Sequence, residues 1–404
     1  MNNELLLSIQ DVLSKRLNEI FRASEDPVHT ASYLLESALS SDVQRGHSGA
    51  LDQESPGHND PVLAFLHEVR QVGKEWLSRL PSMVRPILWD LWAREGYLNN
   101  GEHIRGLVAK LEGDSLQNKA VYSDNAGIAE FVGKYGCPGK KSIVIERNSR
   151  VFDIAEKCLA LEGFQGKIVL GDCLTEDRCN KQFDVVYMEP PFGIKITGDQ
   201  VAEIFNSDNG LLKIYPDHSP VTMFRKDIVW IDHAVKRMKK TGSAYLLMPA
   251  NCVDALDPYS VKVRNYLIDK RLVQALVLLP RTRHHAVQSL LIILKSNQEG
   301  VVRFVNASAM GEYDRKRKGE LTQENLSDLY SLLTEDRKDK RLALVGFGQL
   351  LERGWSSYFS NNPMKKEQEI DLSEAVDDFI LAQNRLRELL GEEYGGFEIH
   401  KVGS

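Results

Sequence analysis

FDVVYMEPPFG, residues 183–193, is the stretch on which the reading of this chain turns. A strand-like run of six residues is followed at once by an acid, two prolines, an aromatic residue and a glycine. Such a segment is built to present something at a strand end, and the question is whether Glu189 does chemistry there.

Outward from it, short β-branched and aliphatic runs recur: KAVYS (119–123), SIVIE (142–146), GKIVLGD (166–172), GSAYLLMP (242–249), VQALVLLP (273–280) and SLLIILK (289–295). Helical stretches separate most of them, among them GIAEFVGKYG, VFDIAEKCLALEGF and DIVWIDHAVKRMKK. That alternation predicts an α/β fold with a largely parallel sheet covered on both faces. The loop between 273–280 and 289–295 is too short for a helical crossover, so this last pair is expected to be antiparallel.

The flanks are different. Residues 1–40 carry apolar positions at helical spacing (Leu5, Ile9, Leu13, Leu17, Ile20, Phe21), and no strand signal precedes residue 119. From about 311 the chain turns polar and helical. The expected division is a helical N-terminal domain (1–95), a central α/β domain (96–310) and a helical C-terminal extension (311–404). At 404 residues the chain has room for two or three domains.

Composition narrows the function class. Hydrophobic content of 42% and charged content of 27% are those of a soluble globular protein. No apolar run reaches the roughly 20 residues of a membrane span. Cys137, Cys158, Cys173, Cys179 and Cys252 form no CxxC pair and no metal spacing. Reduced, buried thiols, a cytoplasmic location and no metal are therefore expected. A net charge of −6 excludes a surface that is basic throughout, so any nucleic-acid contact has to be local or supplied by a partner.

Ligands of open α/β sheets sit at the strands' carboxyl ends. Reading those ends in order gives Gly127 after the first strand, Glu146 ending the second, Asp172 after the third and Glu189 after the fourth. Gly127 permits a close turn. Glu146 lies 19 residues further on, the separation at which a carboxylate commonly bonds a ribose diol. An acid at a strand end is often only a cap, but four such signals in order indicate a nucleoside-type pocket.

With these residues in order, the chain resembles the amino-methyltransferases acting on adenine N6 in DNA, most of all the methylation subunit of type I restriction–modification systems. The segments that carry the resemblance are GYLNNGEHIRGLVAKL (96–111), VYSDNAGIAEFV (121–132), VIERN (144–148), LGDCL (170–174) and EPPFG (189–193), and it covers roughly residues 90–365 and more loosely the helical N-terminus. The resemblance implies a Rossmann-like S-adenosylmethionine-dependent methyltransferase sheet behind an all-helical domain. It implies cofactor contacts at Ser123, Gly127, Ala129, Glu146 and Asp172, and catalytic roles for Glu189, Pro190, Pro191 and Phe192. In the family an Asn or Asp oxygen and a proline carbonyl accept the hydrogens of the adenine amine while the phenylalanine stacks on the flipped base.

The chain departs from that pattern. The family's Tyr-Thr-Pro stands as Leu98-Asn99-Asn100, the loop aspartate as Ser123, the loop's second glycine as Ala129, and the catalytic Asn or Asp as Glu189. Glu189 is one methylene too long, and a misplacement of about 1 Å costs on the order of 100-fold. The expectation is a methyltransferase-like subunit of a restriction–modification or related phage-defence system, with catalysis weakened or lost. A pseudo-methyltransferase scaffold that binds DNA or partner subunits is the first alternative, and another S-adenosylmethionine enzyme or nucleotide sensor the second.

Two basic loops are the candidate nucleic-acid contacts: Arg281 and Arg283 in RTRHH, and Arg315, Lys316, Arg317 and Lys318 in RKRK. His284 and His285 lack a metal constellation. No target-recognition domain is evident, so base readout would come from a specificity-type or other defence-system subunit. The helix expected over 371–390, with Leu372, Ala375, Phe379, Leu386 and Leu389 on one face, either packs internally or docks on such a partner.

Overall fold

The computed structural model describes residues 3–43, 60–94, 102–124, 127, 129–135, 142–174, 181–192, 227–256, 258–281, 288–311, 321–351 and 355–359. Residues 1–359 form one unit of contacts, and 360–404 a second that lies outside the described residues, as does the helix expected at 371–390.

Four helices come first: α1 (Asn3–Ala23), α2 (Pro27–Val43), α3 (Pro61–Val72) and α4 (Leu80–Arg94). Their apolar stripes close on one core that includes Leu17, Phe21, Leu34, Leu35, Phe65 and Trp76. Next come α5 (Glu102–Glu112), β1 (Val121–Asp124), a short α6 (Glu130–Lys134), β2 (Ile143–Glu146), α7 (Ser149–Leu161), β3 (Lys167–Leu170) and β4 (Phe183–Met188). They are followed by α8 (Asp227–Arg237), β5 (Met238–Pro249), α9 (Pro258–Asp269), β6 (Val273–Leu278), β7 (Ser289–Lys295), β8 (Val301–Asn306), α10 (Gln323–Thr334) and β9 (Leu342–Gly346).

The nine strands form one sheet in the order β3-β2-β1-β4-β5-β7-β6-β8-β9. β3, β2, β1, β4 and β5 are parallel, and β7 enters antiparallel between β5 and β6. Alternation of side chains sorts the sheet into two buried faces. Tyr122, Val186, Met188 and Leu246 face α8 and α9. Val121, Val185, Tyr187 and Leu247 face α5, α6, α7 and α10. Burial on both sides explains why the central strands read as continuous apolar runs.

The antiparallel pairing of 273–280 with 289–295 is as the short loop requires. β8 and β9 were not legible, and β9 lies in the stretch that reads as polar and helical. Among the described residues no helix is long and apolar enough to cross a membrane.

Helix α7 joins the helical region to the sheet because both of its faces are buried. Val151, Ile154 and Cys158 enter the helical core, while Ala155 and Leu159 pack on the sheet. Burial pushes the Cys158 thiol up to about 12, which keeps it a neutral packing group. Polar ties reinforce the joint. Ser32 donates to Asp153 at 2.5 Å, and Lys157 bridges Ser32 and Asp153. Buried Arg85 of α4 forms a bidentate pair with Glu162, just past α7. Gly133 leaves room for this pair, since a Cβ there would stand 2.0 Å from a Glu162 oxygen.

Removing one member of a buried pair leaves the other without its counter-charge. Glu162→Ala should therefore lower the unfolding free energy by about 3–5 kcal/mol in urea titration. A loss below about 1 kcal/mol would mark the pair as solvent-screened and the joint as apolar only.

Candidate active site

Strand order places the switch point between β1 and β4, since the chain runs outward to β3 on one side and to β5 on the other. A crevice at the carboxyl ends of such strands is where open α/β sheets take ligands. Register lines up the expected residues there. Asp124 pairs with Ile145 on one side and Met188 on the other, so the next residues, Glu146 and Glu189, flank the end of β1. Leu170 is level with Glu146, which puts Asp172 two residues beyond.

Gly127 and Glu146 are in direct contact. The Gly127 amide donates to Glu146 Oε2 at 3.0 Å and the Asn148 amide to Oε1 at 2.8 Å. Asn148 in turn caps α7 through its side chain. Burial raises the Glu146 pKa above the usual carboxylate value, with these amides pulling the other way. Glu146 is thus a brace holding the turn after β1 to the turn after β2. Asp172 is partly exposed; Oδ1 accepts from the Leu174 amide at 2.9 Å, and Oδ2 faces Arg147 at 3.9 Å.

The loop after β1 keeps a glycine-like course without its glycine. Gly127 and Ala129 both have φ of +54°. For Ala129 the left-handed region costs roughly 1–2 kcal/mol, and its methyl is buried in the core. Ser123 is buried in β1 between Val144 and Tyr187. Asp124, the neighbouring carboxylate, does not take over from Ser123, because strand alternation turns it to the α8 face, where its Oδ2 lies 3.1 Å from His233 Nε2.

Glu189 is held by an arginine that the sequence reading did not single out. Arg105 of α5 donates from Nε to Glu189 Oε1 at 2.7 Å and from Nη2 to Oε2 at 3.2 Å. Its Nη1 donates to Glu130 Oε2 at 2.5 Å. The Tyr187 hydroxyl adds a bond to Glu189 Oε1 at 2.6 Å. Arg105 is 4% exposed and Glu130 6%. Burial alone would lower the Arg105 pKa, but the Glu189 and Glu130 carboxylates outweigh it and raise the pKa above its ordinary value. Burial, then the Glu189 charge, pushes the Tyr187 phenol well above its usual range and keeps it a donor. Phe131 stacks on Tyr187 at 4.2 Å and fixes that ring.

Arg105 was discoverable in principle. It shares a helix face with Val108 and Glu112, and a cation on a face that buries Val108 calls for a buried anion. Glu130 reads as an ordinary first-turn acid and gave no such signal. Pro190 is buried, and Pro191 and Phe192 are half-buried beside Glu189.

The first basic loop leaves the same edge of the sheet. β6 runs in the direction of β5, because β7 is antiparallel to both, so exposed Arg281 follows its carboxyl end. β8 is parallel to β6 and also ends at this edge. Arg283 and the run Arg315, Lys316, Arg317 and Lys318 lie outside the described residues.

A family model described as N-6 DNA Methylase matches residues 137–354, more than half of the chain. The chain belongs to the N-6 DNA methylase family. Comparison with curated proteins gives no significant match. Among solved structures the chain is similar to the methyltransferase subunit of a type I restriction-modification system from Streptococcus thermophilus. That likeness has 16% identity and a TM-score of 0.62, over 73% of this chain and 66% of that one. The chain therefore spans just under two thirds of that subunit. A chain from a structure of a type I restriction-modification assembly gives 14% identity and a TM-score of 0.62, with 95% and 98% covered. A Listeria monocytogenes protein described as a class I S-adenosylmethionine-dependent methyltransferase gives 12% identity and 0.55, with 80% and 98% covered. At these identities the likeness is one of fold. The family match begins beyond the loop after β1, so Arg105, Ser123, Gly127, Ala129 and Glu130 all precede it.

The ion network has an energetic signature. Arg105→Met leaves buried Glu130 and partly buried Glu189 without their cation and should cost about 3–5 kcal/mol. Glu189→Ala, which leaves Arg105 with Glu130, should cost less. In urea unfolding the double variant should fall short of the summed losses by about 1–3 kcal/mol. Strict additivity would show that the pair does not form in solution.

Proposed function

We propose that this chain is a methylase-fold subunit of a restriction–modification or related phage-defence assembly in which methyl transfer has given way to a structural ion pair. The observation that carries this reading is the bidentate grip of Arg105 on Glu189. Adenine methylation, as the family resemblance describes it, needs a short acceptor at this position aimed at the amine. Here both carboxylate oxygens are turned onto a buried guanidinium.

The residues fit S-adenosylmethionine in one half only. Glu146 and Asp172 keep acceptor capacity beyond their amide bonds, as a nucleoside's ribose and base would require. The amino-acid half lacks support. Ser123 carries no charge for the donor's ammonium, the Asp124 carboxylate serves the opposite face, and Ala129 holds the left-handed turn only with strain that a glycine would not have. The acceptor and donor sides of the reaction are therefore impaired independently.

DNA and a specificity-type subunit are the partners this reading assigns, in the cytoplasm. The chain's net charge of −6 limits its own part to local contacts at Arg281, Arg283 and the 315–318 run.

Tritiated methyl transfer to adenine-containing DNA tests the central claim, with the wild-type chain alone and with its neighbouring subunits. No incorporation is expected, and Glu189→Asn alone should not restore it, because the donor loop stays impaired. Ser123→Asp and Ala129→Gly together with Glu189→Asn is the combination with the best prospect of recovery. Turnover by the wild type that disappears in Glu189→Ala would overturn the proposal and make Glu189 a working acceptor.

The basic loops have their own test. Changing Arg315, Lys316, Arg317 and Lys318 together to Ala should weaken DNA retention and flatten its salt dependence without altering base preference. Unchanged retention would remove that run from the interface.

A further inference from the structure

On the opposite face of the sheet from Arg105, three side chains from distant parts of the chain converge. Asp124 ends β1, Cys173 follows β3, and His233 lies in α8; all three are buried. One donor atom of each lies within 4.8 Å of the others. His233 Nε2 is 3.1 Å from Asp124 Oδ2 and 2.9 Å from the Tyr122 hydroxyl. We propose that Asp124, Cys173 and His233 form a binding site for a single transition-metal ion of the Zn2+ class, with the Tyr122 hydroxyl beside it. No spacing motif announces the site, because the ligands lie 49 and 60 residues apart along the chain.

The donor set selects the metal. One sulfur, one imidazole nitrogen and one carboxylate oxygen suit Zn2+ or Co2+, whereas Mg2+ and Ca2+ take oxygen alone. Bonds of about 2.0–2.3 Å place tetrahedral ligand atoms roughly 3.2–3.7 Å apart. The His233–Asp124 distance of 3.1 Å is on that scale, and the Cys173 sulfur lies within 4.8 Å of both ligand atoms. Charge also balances, since a thiolate, a carboxylate and a neutral imidazole together neutralise a divalent ion. That is the arrangement a buried site requires.

A cysteine thiol carries its proton at neutral pH and binds metal as the thiolate. On binding, the S–H bond breaks, the sulfur–metal bond forms, and one proton passes to solvent with no change of oxidation state. The ion would pin three elements together: the end of β1, the turn carrying Asp172 and helix α8. Metal occupancy would thereby order the partly exposed side of the nucleoside pocket, although the proposal does not depend on whether that pocket binds a ligand.

The test uses the full-length chain without an affinity tag, reduced and stripped with a chelator, then titrated with Zn2+ and with Co2+. The expected result is one ion per chain, one proton released, and a rise of several degrees in Tm. Co2+ should give a near-ultraviolet thiolate charge-transfer band and the intense visible bands of tetrahedral coordination. Cys173→Ala should abolish the charge-transfer band, while Cys252→Ala, a buried thiol elsewhere, should retain it. Circular dichroism of the metal-free variants separates loss of a ligand from loss of the fold, and Cys173→Ser serves where the alanine variant unfolds. Absence of stoichiometric binding to the wild type, or binding unchanged by the Cys173 substitution, would overturn the site and leave a hydrogen-bonded cluster.

Discussion

Arg105 is a cation with almost no access to water, placed where α5 crosses the end of β4. Such a group persists only with its charge and its donors matched. Glu189 and Glu130 supply the charge, and the fork of the guanidinium fixes how each carboxylate lies. The rest of the site follows from this constraint. Glu189 turns towards α5, Tyr187 aligns its hydroxyl along the same carboxylate, and Phe131 stacks behind Tyr187. Glu130 begins α6, so the network also ties the loop after β1 to the strand end after β4. Two segments that the family resemblance assigns to methyl donor and methyl acceptor are here cross-linked by one side chain.

Length matters in that cross-link. An Asn or Asp at 189 has one methylene less and cannot reach the guanidinium from the same backbone without moving it. The longer glutamate, which looks like a defect when judged by amine chemistry, is the right length for the arginine. Glu189, Arg105 and Glu130 therefore act as one set, and removing one member would be costly while the others remain.

Most of the sheet was legible because β1 to β7 are apolar runs broken by turn residues. β8 was not, because Arg303 interrupts VVRFVN; the structure places that cation on Asp336 and the Glu335 carbonyl. β9 was hidden for another reason. It is an edge strand with Leu344 half-exposed, and it follows a charged stretch whose arginines pair with Asp328 and Asp339. Within the site, the strand-end acids could be read in order because a parallel sheet brings its carboxyl ends together. Glu130, Cys173 and His233 could not, and for Arg105 only the need for some buried anion was legible. Their partners are set by which helix lies on which face, and sequence spacing carries no trace of that.

The strand-end acids share a further property. Glu146 accepts two backbone amides, Asp172 accepts the Leu174 amide, and Glu189 accepts an arginine and a tyrosine. Each therefore serves the chain's own turns. A carboxylate recruited to hold a ligand must be oriented by its own backbone neighbourhood, and those orienting bonds are internal to the fold. Those orienting bonds stabilise the turns whether or not a ligand is bound. Position 189 differs in the kind of partner that orients it. Its carboxylate is oriented by the Arg105 guanidinium and the Tyr187 hydroxyl, side chains brought in by α5 and β4 rather than by its own turn.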